Sequence, residues 1–409
     1  VSTCSSTGKN LDSSSHARPS LFEIAAIFLR LGLTSFGGPV AHLGYFQDEI
    51  VRRKRWFSDE EYADLVALCH FLPGPASSQF VFATGMKQRG LLGALAASLC
   101  FTLPSAIAMI LFAIGLAKFG DTRTAGWLHG LKLAAVAVVA QAVWNLGRKL
   151  CPDFARGIIA AAAAAVVLFF PRTGIQIAAI AIGALAGWSL YRGTIPVSKN
   201  PPTPKRKNHA WAGFTLIAFF LLLIVLPLAA KPMQSTWLSA FDSFYRSGAL
   251  VFGGGHVVLP LLRAEVVPRG WISDAAFLAG YGAAQAVPDP LFTFAAYLGA
   301  TIFPDSPWLG GLWCLLGIFL PAWMLIGGAL PFWHSLREKA WAQAALRGAN
   351  AAVVGVLLAA LYNPVGIQGV RRPSDAVAAA IAFVLLQFCR VPPWLVVALA
   401  AAAGQWILR

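Results

Sequence analysis

The chain has 409 residues, of which 58% are hydrophobic and only 12% charged, about half the charged share of a soluble domain. So little charge cannot cover so much apolar side chain, which excludes a water-soluble globular protein. The net charge of +15 would suit nucleic acid in a soluble chain. Here the positive residues fall in short segments between apolar runs, as the positive-inside rule requires, and no nucleic-acid module accompanies them.

In chain order, residues 1–20 are polar and Ser-rich and are expected to form a disordered cytoplasmic tail, with no basic-then-apolar leader. Apolar segments then follow at about 21–47, 61–86, 91–117, 126–146, 155–170 and 174–191. A basic linker, 192–210, contains Lys199, Lys205, Arg206 and Lys207, which place it in the cytoplasm. Beyond it lie segments at about 211–230, 237–262, 275–303, 308–332, 343–362, 374–390 and 391–408. These runs are continuous and Ala/Leu-rich rather than alternating, which argues against a β-barrel. The fold class is an all-α polytopic membrane protein of about thirteen apolar segments.

The two halves are one unit used twice. Phe28-Leu-Arg-Leu-Gly-Leu-Thr-Ser-Phe-Gly-Gly-Pro39 returns as Phe244-Tyr-Arg-Ser-Gly-Ala-Leu-Val-Phe-Gly-Gly-Gly255. Trp56-Phe-Ser-Asp59 returns as Trp271-Ile-Ser-Asp274, Pro73-Gly-Pro75 as Pro288-Asp-Pro290, and Leu103-Pro104 as Leu320-Pro321. Gly130, Ala134, Val136 and Asn145 correspond to Gly348, Ala352, Val354 and Asn363. Residues 21–191 thus form a first repeat and 237–409 a second. The extra helix 211–230 has no partner, so the second repeat starts from the opposite face and the halves are inverted, as in many secondary transporters. Segments 21–47 and 61–86 either span or re-enter the membrane, breaking at Gly37-Gly38 and Pro73-Gly74-Pro75. The re-entrant reading is favoured because it keeps Arg52-Arg-Lys-Arg55 inside.

The chemistry sits at the breaks. Glycine and proline inside an apolar helical pattern cost about 1 and 3 kcal/mol, and lipid offers no partner for the freed backbone groups. A broken helix presents N–H groups and a positive dipole end, the elements of an anion site. Phe36, Gly37 and Gly38, and Gly253, Gly254 and Gly255 of the second repeat, are therefore candidate substrate ligands, with His42 and His256 just beyond. Pro73, Gly74, Pro75, Ser77, Ser78 and Gln79 form a second break rich in donors. In its counterpart Asp289 replaces the glycine and is the candidate proton carrier. Arg30 and Arg246 stand at equivalent places, where a guanidinium could grip an oxyanion or snorkel to the interface. Asp64, His70, Lys132 and Glu265 are weaker candidates. The six cysteines (Cys4, Cys69, Cys100, Cys151, Cys314, Cys389) have no metal-ligand or redox spacing. No Walker A, HExxH or nucleophile motif appears, so neither enzyme activity nor a cofactor or metal is expected.

The Phe-Gly-Gly-Pro-x-Ala-His run at 36–42, the Glu49…Trp56 stretch and Leu-Pro-Gly-Pro-x-Ser-x-Gln at 72–79 resemble the long-chain, two-domain members of the chromate transporter family. The resemblance covers about 21–146 and 240–363, and departs most in the second half, at Gly255 and Asp289. It implies a bacterial inner-membrane exporter of chromate that confers chromate resistance, with sulfate as a look-alike substrate, the lipid bilayer as surroundings and a homodimer as a possible assembly. Moving a dianion outward down an inside-negative potential gains about 2 × 2.3 kcal/mol per 100 mV. Uptake would need co-transported cations. The alternatives are an importer of sulfate or another oxyanion, and a channel-like anion pore.

Overall fold

The computed structural model describes residues 19–36, 38–119, 126–170, 174–193, 210–252, 255–288, 291–333 and 339–407. The tail up to residue 18 and most of the linker, 194–209, lie outside them. So do Gly37, Gly253, Gly254 and Asp289, four of the residues singled out above. Among the described residues every regular element is helical.

Helix α1 (Leu21–Thr34) starts where Ser20 Oγ accepts the Glu23 N–H at 3.0 Å. It buries Ile24, Ile27, Phe28 and Leu31 at helical spacing. After the break α2 (Gly38–Phe46) runs on as a π turn to Arg53, and Lys54 Nζ comes back within 2.7 Å of Glu23 Oε1. The chain has returned to its starting face. Helix α3 (Asp59–Phe71) opens with a Ser58–Glu61 capping box. It breaks at residues 72–75 and returns as the first limb of α4 (Ala76–Phe119). Lys87 then sits 5.0 Å from the Phe57 ring centroid, and Arg89 Nε reaches the Pro19 carbonyl at 2.7 Å. Both early segments are thus re-entrant hairpins, and Arg52–Arg55, Lys87 and Arg89 share one face with residue 19. We call this the N-terminal face.

At Gly90, with φ of 62°, α4 kinks, and its second limb crosses to the opposite face. Helix α5 (Gly126–Leu150) crosses back, and α6 (Phe154–Phe169) and α7 (Ile175–Tyr191) form an apolar pair. Helix α8 (Ala210–Met233) crosses alone, with lipid-facing side chains such as Phe214, Ile217, Leu221 and Ile224 exposed. The second repeat then mirrors the first from the opposite face. Helix α9 (Thr236–Ala249) and α10 (Val258–Val266) make one hairpin. Helix α11 (Asp274–Ala284), again capped by a serine, and α12 (Phe294–Ile302) make the other. The stacking of Trp237 on Phe303, centroids 3.8 Å apart, closes both at one level. Helices α13 (Pro307–Ala329), α14 (Ala340–Ala360), α15 (Pro373–Gln387) and α16 (Pro393–Trp406) complete the repeat. Among the described residues five helices are long and apolar enough to cross a membrane: Ala76–Lys118, Gly126–Leu150, Ala210–Met233, Pro307–Phe332 and Ala340–Gly369. This is a multi-pass membrane protein of two homologous halves.

The halves exchange partners. Helices α6 and α7 of the first repeat pack on α14 of the second, while α15 and α16 pack on α5 of the first. Small residues make this possible: Gly348 sits against the backbone of Gly183 and Gly187, and Gly130 against Ala400 and Ala401. A Cβ at either glycine would strike backbone. The exchange brings all four breaks together at the centre.

Candidate functional site

The first repeat's second break is tied to the second repeat's first break by the Gly74 N–H, which donates to the Val251 carbonyl at 2.7 Å. Gly74 holds φ of +119°, open to glycine and strained for other residues. Ser105 Oγ, on α4, donates to the Pro288 carbonyl. The carbonyls released by the broken helices of one repeat are thus satisfied by the other.

Between the breaks lies a cavity of about 820 Å³, room for about 25 waters. Phe36, Leu72, Gly74, Pro75 and Ser77 line it from the first repeat's breaks, and Gly255, His256, Gln285, Val287 and Leu291 from the second's. Helix α5 supplies one long wall, Val138, Gln141, Asn145 and Lys149 among it, while α14 supplies Asn350. The wall reaches Leu150, the last residue of α5, so the cavity extends toward the N-terminal face, where Lys149 is exposed. Toward the other face the fully buried rings of Phe277, Tyr281, Phe294 and Tyr297 close the path.

The lining suits an anion. Among its described residues there is no carboxylate, and Lys149 is its one full-time cation. Amides dominate the polar groups: Gln141 Nε2 is held by the Leu386 carbonyl at 3.0 Å, while Gln285 Nε2 and Asn350 Oδ1 have no protein partner. Buried polar atoms are rarely left so; both are screened by their neighbours and sit just behind the cavity surface. His256 Nδ1 lies 3.0 Å from the Tyr281 hydroxyl, which orients the ring beside Gln285.

Behind the lining is a supporting layer. His42 is 1% exposed; its Nδ1 lies 3.3 Å from Ser77 Oγ and its Nε2 3.1 Å from the Ser35 carbonyl. It fixes the hydroxyl rather than facing the cavity itself. Gln79 Nε2 donates to the Pro73 carbonyl at 2.7 Å. Ser78 and Gln79 are buried, with Ser78 Oγ and Gln79 Oε1 unpartnered.

The two arginines stand elsewhere. Arg30 pairs with Glu49, which also takes Arg53 at 2.9 Å. Arg246 pairs with Glu265 at 3.0 Å, which takes Arg269 at 3.3 Å, and with Asp242 at 2.9 Å. Each member of the first triad lies 216 residues before its counterpart, so an Arg–Glu–Arg clamp pins the first hairpin of each repeat. Neither Arg30 nor Arg246 lines the cavity, and neither do Pro73, Ser78 or Gln79. The lining amides Gln141, Asn145, Gln285 and Asn350 carry no motif. The available signal was the four-residue spacing of Gln141, Asn145 and Lys149 on one face of an otherwise apolar helix.

The model of the family described as "Chromate transporter" matches this chain twice, at residues 22–188 and 238–405. The chain belongs to the chromate transporter family. Its double match coincides with the two repeats, and the gap between them with the linker and α8. The chain is 29% identical over 95% of its length to the chromate transport protein of Pseudomonas aeruginosa, 92% of which is covered. With the chromate transport protein of Cupriavidus metallidurans it shares 26% identity, covering 95% of this chain and 94% of that one. A Bacillus subtilis protein, the uncharacterized transporter YwrB, matches 32% of this chain over 68% of its own length at 27% identity. No solved structure matches this transporter.

Proposed function

We propose that this protein is a secondary transporter that carries chromate out of the cytoplasm across the bacterial inner membrane and so confers chromate resistance. The observation that carries the reading is the cavity: a carboxylate-free chamber among its described residues, placed where the breaks of two inverted repeats meet. Membership of the family and the names of its relatives support chromate as the substrate. Ser77 held by His42, the amides of Gln285 and Asn350, and the backbone around Gly74 and Gly255 are the proposed ligands. Arg30 and Arg246 serve as clamps.

Orientation follows from charge. Arg52–Arg55, Lys87, Arg89, Arg148, Lys149 and Arg192 gather at the N-terminal face, so that face is cytoplasmic. The cavity then opens toward the cytoplasm, ready to load an anion that the inside-negative potential drives outward. Rocking of one repeat against the other releases it, with Asp289 or a histidine as the candidate proton carrier.

Everted membrane vesicles test this. Radiolabelled chromate should accumulate in them when they are energised, saturate, and fall when sulfate is added or an uncoupler removes the driving force. Accumulation that ignores the uncoupler would refute the driven mechanism, and none at all would refute chromate export.

A further inference from the structure

Part of the cavity is built from corresponding positions of the two repeats. Cys69 and Ala284, His70 and Gln285, Leu72 and Val287, Ala76 and Leu291, and Ser77 and Phe292 all line it, each pair 215 residues apart. These pairs form a floor common to both halves. The walls are not common. Helix α5 contributes Val138 to Leu150 on the open side, whereas α14 contributes Asn350 alone.

Helix α5 aligns without a gap with α14 and the turn that follows it, from Gly130 with Gly348 to Asn145 with Asn363, and this register sets Lys132 against Asn350. In a carrier of inverted repeats the two halves trade conformations when access switches. The state open to the opposite face would therefore take its long wall from α14, and from α5 the residue in the place of Asn350.

In the present state Lys132 has no counter-ion among the described residues. It is 6% exposed, and among the described residues no hydrogen bond or ion pair reaches its side chain. The segment packed on it is cationic: a Cβ at Gly369 would lie 3.5 Å from the Lys132 carbonyl oxygen, and Arg371 follows. The carboxylate there, Asp375, is already occupied. Its Oδ1 lies 2.9 Å from His129 Nε2, and its Oδ2 accepts the N–H groups of Arg371 and Arg372 at 2.9 and 3.0 Å. A buried cation without a counter-ion in a membrane protein marks a substrate path.

We propose that Lys132 is a ligand of the transported oxyanion in the state open to the opposite face, where it takes the place that Asn350 holds in the state seen here. The proposal rests on the transport reading above. It makes the site unequal on its two sides, amide-based when loading and lysine-based on the far side.

Two measurements test it. The first needs no substrate: with the native cysteines replaced, K132C and N145C are treated with a membrane-impermeant methanethiosulfonate from each side. K132C should react from the opposite face alone and N145C from the N-terminal face. A K132C that is inert from the opposite face, or that reacts from the N-terminal one, overturns the proposal even if the protein proves to carry another anion. The second is half-saturation by chromate on each face. K132A should raise it about ten-fold or more on the opposite face, as expected for a lost charge-assisted hydrogen bond, with the N-terminal face unchanged. N350A should do the reverse, and K132R should restore much of the loss. An equal change on both faces would mark Lys132 as structural. If the wild type carries no chromate, the chromate reading fails while the labelling result still decides the lysine's exposure.

Discussion

Replacing Glu265 with glutamine separates a clamp from a ligand site. The Glu265 carboxylate is 5% exposed and accepts from Ser243 Oγ at 3.0 Å, Arg246 Nη2 at 3.0 Å and Arg269 Nη2 at 3.3 Å. Breaking a buried pair costs about 3 to 5 kcal/mol. Arg246 keeps its two-pronged bond to Asp242, and the Arg269 side chain is 37% exposed, so the expected loss for E265Q falls to about 2 to 3 kcal/mol. Its counterpart Glu49 serves Arg30 and Arg53, whose side chains are 47% and 64% exposed. Solvent screens those pairs, and E49Q should cost about 1 kcal/mol. Thermal unfolding of the purified protein in detergent should therefore rank wild type above E49Q and E49Q above E265Q. Folded E265Q reconstituted in vesicles should keep its chromate half-saturation within about two-fold. Wild-type stability combined with a ten-fold worse half-saturation would refute the reasoning, because it would make Arg246 a ligand whose setting Glu265 tunes.

Other substitutions probe the remaining links. G348V drives a side chain into the Gly183–Gly187 backbone and should abolish assembly of α14 on α7, seen as loss of a monodisperse peak in size-exclusion chromatography. G74A strains a residue at φ +119° that ties the two repeats together; it should slow chromate flux at least ten-fold, and unchanged flux would show the link to be dispensable. D153A removes the N-cap of α6 and should cost about 1 kcal/mol at neutral pH. The Arg156 N–H and the Tyr191 hydroxyl hold the Asp153 carboxyl down to about 2. The stabilisation is therefore complete above the ordinary carboxylate value and fades as pH falls from about 4 toward 2. Thermal midpoints of wild type and D153A should converge across that window.

Much of the architecture was legible because it rests on spacing. The Phe-Gly-Gly and Pro-x-Pro breaks, the repeated Trp-x-Ser-Asp motif and the unpaired α8 all follow from residue type and order. Whether residues 21–53 cross or return did not, since both paths bury the same apolar face; the Glu23–Lys54 contact decides it. The exchange of α6 and α7 onto α14 was equally silent, because Ala-rich helices carry small residues on every side. The arginines were misleading for a physical reason. A guanidinium opposite a break suits an oxyanion, yet the glutamate that neutralises it lies 19 residues along the chain, beyond the reach of local pattern.

The divergence of the two repeats carries the functional argument further. A carrier with identical halves would present identical sites on its two sides, and the potential alone would set its direction. Here Ser77 answers to Phe292, His70 to Gln285 and Asn350 to Lys132. The first two pairs share one floor and so act in both states, but the third lies on walls that are exposed alternately. Evolution of a duplicated unit can change affinity on one side without touching the other only at such wall positions. Charge differences between paired wall residues, rather than the breaks themselves, are therefore where sidedness would be encoded in this fold. Swapping the pair, K132N with N350K, should exchange the two half-saturations while leaving the breaks, the clamps and the driving force in place.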